Sequence, residues 1–191
     1  MTHSHKRVNA IALVFLLLTG TAVQAQQSTG PPEEPKTKLE SFQRQTGTVV
    51  IKGYSEFGTI QGLGTVSVDC IEFTDATTRQ RVLGVGIDVV EGGKYEHSDR
   101  SFIDYDEIES LLKGIDYISS VKADVTKLEH FEAIYKTKGN FTAGTFSRKG
   151  KVDAVVKSGY IRPATAYLSL QQLGEVRELI SKAKQKLDSL K

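Results

Sequence analysis

The chain has 191 residues, with 25 Lys and Arg against 23 Asp and Glu and a single cysteine. Without a leader over residues 1–25 it keeps 166 residues carrying 23 basic and 23 acidic side chains. That length suits one domain with a real hydrophobic core, and zero net charge lacks the basic excess that phosphate binding needs, so nucleic acid is not an expected partner.

Residues 1–25 read as a secretory signal peptide: His5, Lys6 and Arg7 make a basic start, Ala10 to Leu18 an apolar core, and Val23-Gln24-Ala25 a small-residue cleavage site. The apolar run is shorter than the roughly 20 residues a membrane span needs, and no second run of that kind follows. The expected product is soluble and exported, periplasmic or extracellular, with its mature start near Gln26. Residues 26–46 hold three prolines and few apolar side chains, which predicts a flexible tail.

From Thr48 the text becomes strand-like. Val49 and Ile51 alternate with polar neighbours, and Gly53, Gly58, Gly62 and Gly64 then predict a kinked or bulged strand. In Thr65 to Thr74, Val66, Val68 and Cys70 share one parity and Ile71 and Phe73 the other, which predicts a β-bulge between Cys70 and Ile71. Cys70 continues the apolar face and reads as a buried thiol without a partner for a disulfide. Arg79 to Glu91 alternates cleanly. Within it Gly84 and Gly86 leave two same-face positions bare, which points either to close approach of a helix or to a floor where a ligand lies against backbone. This Gly-x-Gly has no third glycine and opens no helix, so it is not a dinucleotide fingerprint. A fourth, polar strand over about Lys94 to Ile103 reads as an edge.

Ile108, Leu111, Leu112, Ile115 and Ile118 then fall on one helical face, with Asp104 and Glu107 spaced as a capping box. The pattern repeats. His130 to Lys138, Phe141 to Arg148, Val152 to Ser158 and Tyr160 to Leu168 read as four strands parted by turn pairs. A helix opened by Ser169 and Gln172 follows, carrying Leu173, Val176, Ile180, Ala183, Leu187 and Leu190.

The fold class is therefore α+β: two β4α units, 47–120 and 128–191, packed as one domain over 47–191 with eight mostly antiparallel strands and two helices. This element order resembles the Whirly and Pur-alpha folds. A single antiparallel barrel or sandwich flanked by two helices is the other arrangement.

Catalytic signatures are few. His97 and Asp99 share a strand face but would need ligands from elsewhere to hold a metal, and no zinc spacing, phosphate loop or nucleophile elbow occurs, so no catalytic, cofactor or metal residue is assigned. Gly84, Gly86, His97 and Asp99 form the candidate ligand surface. The function expected is a non-enzymatic exported binding module for a protein or cell-surface component. A carrier or sensor for a small apolar ligand, and a hydrolase or metal-dependent enzyme, are the alternatives. Acids concentrated between 86 and 118 and bases between 121 and 162 suggest a bipolar surface that aligns the two units or a homodimer.

Overall fold

A computed structural model describes residues 34, 36–93 and 96–191. The leader and the first part of the predicted tail lie outside the described residues.

The first sheet is formed by β1 (Val50–Gly62), β2 (Gly64–Asp75), β3 (Arg81–Val90) and β4 (Ser98–Asp104), antiparallel and in sequence order. The second repeats that order with β5 (Glu132–Lys136), β6 (Thr142–Arg148), β7 (Lys151–Ser158) and β8 (Ala164–Leu168). Each sheet leads into one long helix, α2 (Tyr105–Ser120) and α3 (Leu170–Asp188), so the two β4α units are present and neither sheet closes into a barrel. A short helix, α1 (Lys38–Gln43), precedes β1.

The apolar stripes explain how the units join. Ile108, Leu111, Leu112, Ile115 and Ile118 of α2 and Leu173, Val176, Ile180, Ala183 and Leu187 of α3 enter one core with the inner residues of both sheets. Each helix also lies against the other unit's sheet, α2 on β5 and β6, α3 on β1, β2 and β3. Gly114 makes room for the Tyr135 ring, whose hydroxyl donates to Ser110 Oγ at 2.7 Å. Arg177 reaches Asp116 through Nε and Nη2, both at 2.8 Å, and ties α3 to α2. The sheets touch where Leu63 and Tyr167 exchange backbone hydrogen bonds at 2.9 and 3.0 Å, and where the Ser101 and Ser158 hydroxyls meet at 2.7 Å.

Three expectations are corrected, and α1 accounts for all of them. Residues 38–43 are a helix, not a flexible tail: Thr37 and Glu40 form a capping box, and Leu39 and Phe42 are buried against Ile71, Phe73 and Phe102. Because α1 covers part of the outer face of the first sheet, β2 is apolar on both parities there. Its register runs unbroken through Cys70 and Ile71, and the bulge lies instead in β1, between Glu56 and Gly58. Asp104 occupies the N-cap position of α2 without capping it. Its carboxylate accepts from the Lys38 and Leu39 amides at 2.8 and 3.1 Å and so caps α1, while Glu107 accepts from the Lys138 amide at 2.9 Å. Acids of the first charge run find partners outside the second: Asp106 pairs with Lys38, and Asp116 with Arg177.

Candidate ligand-binding site

Strand register divides the outer face of the first sheet into two halves. One lies under α1 and is apolar. The other is open and polar: Glu56 stands opposite Asp69, Asp69 opposite Gly86, and Asp88 opposite Arg100. The β1 bulge turns Phe57 into the core and leaves Glu56 and Thr59 both on the outer face, the latter opposite Ser67. Gly58 takes φ 143° at this point, with Leu179 of α3 packed beneath it.

A cleft of about 460 Å³ lies over this half. Its charged lining consists of Lys52, Glu56, Asp69, Asp88 and Arg100, and Tyr54, Thr59 and Ser67 complete the polar wall. Arg100 is central. Its Nη2 donates to Asp69 Oδ1 at 2.6 Å and lies 3.0 Å from Asp88 Oδ2, and its Cζ sits 5.8 Å from the centre of the Phe102 ring. Its Nε is buried without a partner among the described residues. Asp69 is almost wholly buried, and burial pushes its carboxyl above the usual range against the opposing charge and hydrogen bond of Arg100. The Tyr54 ring is 61% exposed with Lys52 Nζ 5.2 Å from its centre, and the Thr59 and Ser67 hydroxyls meet at 2.8 Å.

Gly86 is what permits the ion pair. A β-carbon there would collide with Asp69 Oδ1 and lie 2.7 Å from Arg100 Nη2. Gly84, two residues away, lies beneath Leu39 of α1, so the two glycines serve different purposes: close approach of a helix at one, room for charged side chains at the other. His97 and Asp99 lie elsewhere, at the junction with the second unit. His97 Nε2 is 2.6 Å from the Arg162 carbonyl oxygen, and the Asp99 carboxylate packs onto Gly159 and accepts from the Arg100 amide at 2.7 Å. The structure therefore does not bring the four sequence candidates together. Among the described residues no group of three or more His, Cys, Asp or Glu side chains is placed to hold a metal ion. The residues that sequence reasoning missed are Lys52, Tyr54, Glu56, Asp69, Asp88 and Arg100. One signal for them exists: Asp69 is a charge set directly between the apolar Val68 and Cys70, on the parity that faces Gly86.

Family models, curated proteins and solved structures offer no match to this chain.

The cleft offers charge, hydrogen-bonding groups and an aromatic face. Three carboxylates and two cations leave its charge nearly balanced while offering donors and acceptors in alternation, and an exposed aromatic ring lies beside them.

Proposed function

We propose that this protein is a non-enzymatic, exported binding module that takes a hydroxyl-rich polar ligand of saccharide type in the cleft between β1 and β4. The observation that carries the reading is the set of charges fixed over Gly86, with Asp69 and Asp88 holding Arg100 in place in a cleft that Tyr54 also lines. Fixed charges with unused donor and acceptor capacity suit alternating hydroxyl groups, and the open tyrosine face suits the apolar C–H face of a sugar ring. Near-balanced charge gives no strong preference for an anion or a cation. A carrier for apolar ligands finds less support, because this cleft is polar and the space between sheets and helices is filled by side chains of the core. Export rests on the sequence of residues 1–25.

Titration calorimetry of the protein against neutral oligosaccharides, amino acids and short fatty acids tests the reading. A saccharide should release heat, and Tyr54→Ala and Asp88→Ala should each abolish it with the fold intact by circular dichroism. Binding of a fatty acid alone, unaffected by either substitution, would overturn it.

A further inference from the structure

The outer face of the second sheet is the other broad surface that no described element of the chain covers. The first sheet has α1 over part of the equivalent face. Here the corresponding segment before β5, residues 121–131, forms turns and packs no helix onto the sheet.

Strand register sorts this face into three rows running across the strands. Glu132, Phe146 and Asp153 make the first, with two carboxylates. Ile134, Gly144, Val155 and Tyr167 make the second, which is apolar. Lys136, Thr142, Lys157 and Thr165 make the third, with two ammonium groups. Ile134 is 58% exposed and Tyr167 50%, and a hollow of about 180 Å³ opens over Gly144. Of the four charges, only Asp153 has an ion-pair partner among the described residues, Arg148 at 3.6 Å.

We infer that this face is a self-complementary dimer surface whose occupant is a second copy of the chain. An acidic row, an apolar row and a basic row, in that order, match their own image after one particular rotation. A twofold axis lying along the apolar row reverses the partner's strands. It sets Glu132 against the partner's Lys136, Asp153 against the partner's Lys157, and apolar row against apolar row. Phe146 then faces the partner's Thr142, beside the hollow over Gly144. The alternative axis, along the strands, puts acid on acid and base on base, so charge selects the first arrangement.

The size of the face sets the strength. Four strands at about 4.8 Å and three rows at about 6.8 Å cover roughly 400 Å², half of what each partner buries in an interface of standard size. The dimer is accordingly weak, reversible and sensitive to salt.

Sedimentation equilibrium of the protein over a wide concentration range tests this. The wild type should show a monomer–dimer equilibrium that shifts toward monomer as sodium chloride rises. The pair Glu132→Lys with Asp153→Lys makes the face wholly basic, and Lys136→Glu with Lys157→Glu makes it wholly acidic. Each double variant alone should be monomeric with an unchanged melting temperature, and an equimolar mixture of the two should form a heterodimer. Placing Ile134→Ser in both should weaken that heterodimer by about tenfold or more, the worth of a buried isoleucine. Either of two results overturns the inference: a wild-type chain that stays monomeric to its solubility limit, or charge variants that dimerise as the wild type does, which would place the interface elsewhere.

Discussion

Leu39 of α1 rests on Gly84 of β3 so closely that a β-carbon on Gly84 would meet both the Leu39 methyl and the Ile103 carbonyl oxygen at distances that real β-carbons do not show. Backbone cannot give way as a flexible side chain can. Gly84→Ala should therefore cost about 1–3 kcal/mol by overpacking, and Leu39→Ala about 2–5 kcal/mol by the cavity it leaves. Urea denaturation gives both numbers. A loss under about half a kcal/mol for each would mean that α1 is not held on the sheet.

Much of the architecture could be read because it is periodic. The stripes of α2 and α3 extend over several turns, and the turn chemistry at Asn140 and at Lys149-Gly150, all with positive φ, marks hairpins between the later strands. The helix α1 could not be found that way. Six residues with two buried apolar side chains define no period, and the capping box of Thr37 and Glu40 was the only local mark of its start. Missing α1 displaced the bulge into β2 and gave Asp104 to the wrong helix. The site was obscured for a different reason: Asp69 and Arg100 are 31 residues apart, and only the register of three strands places one beside the other. Glycine spacing flagged the face while leaving open which glycine faced a helix and which faced charge.

The Asp69 and Arg100 pair predicts a stability change with a definite pH dependence. The native carboxyl of Asp69 titrates above its ordinary value, so between those two values folding takes up a proton, and this residue's contribution to stability falls as pH rises through that window. Arg100→Met strands the buried carboxylate and pushes its native value higher still. The substitution should cost about 3 kcal/mol at neutral pH, the low end for a broken buried pair because Arg100 is partly exposed. The loss should shrink as pH falls and Asp69 becomes protonated. Denaturation midpoints compared between neutral and mildly acidic buffer check this, and a penalty that grows toward acid would refute it.

Asp75 should behave in the opposite sense. It ends β2 and accepts from the Thr77 and Thr78 amides, both at 2.7 Å, and from the Thr48 hydroxyl at 2.9 Å. The Thr78 amide bond is the leading cause that lowers its carboxyl below the usual range, with Thr48 next. Its stabilising contribution is thus complete above the unfolded carboxylate value and lost as pH falls through the native one. Asp75→Ala should destabilise the protein at neutral pH, and wild type and variant should converge in strong acid. Chemical denaturation followed across pH reads the convergence directly.

The last prediction concerns Cys70. It lies opposite Ser55 on the inner face, 4% exposed, and burial pushes its thiol up against weaker hydrogen bonding from Ser55. Both effects leave little thiolate within reach of a reagent, so the folded protein should label far more slowly than the denatured chain. The route by which labelling does occur follows from the surroundings. A groove of about 210 Å³ runs past Cys70, and Lys186, Leu187 and Leu190, at and just beyond the C-terminal end of α3, form one of its walls. Helix ends open more readily than the whole fold. Fraying of that last turn should expose the thiol before global unfolding does. If so, Leu187→Ala should speed native-state labelling by more than Leu112→Ala, even where the two lower global stability equally, since Leu112 lies on the other long helix. Labelling rates with a thiol reagent under native conditions, set beside urea midpoints for the same variants, separate the two routes. Equal acceleration at equal stability loss would show that Cys70 is reached only through global unfolding.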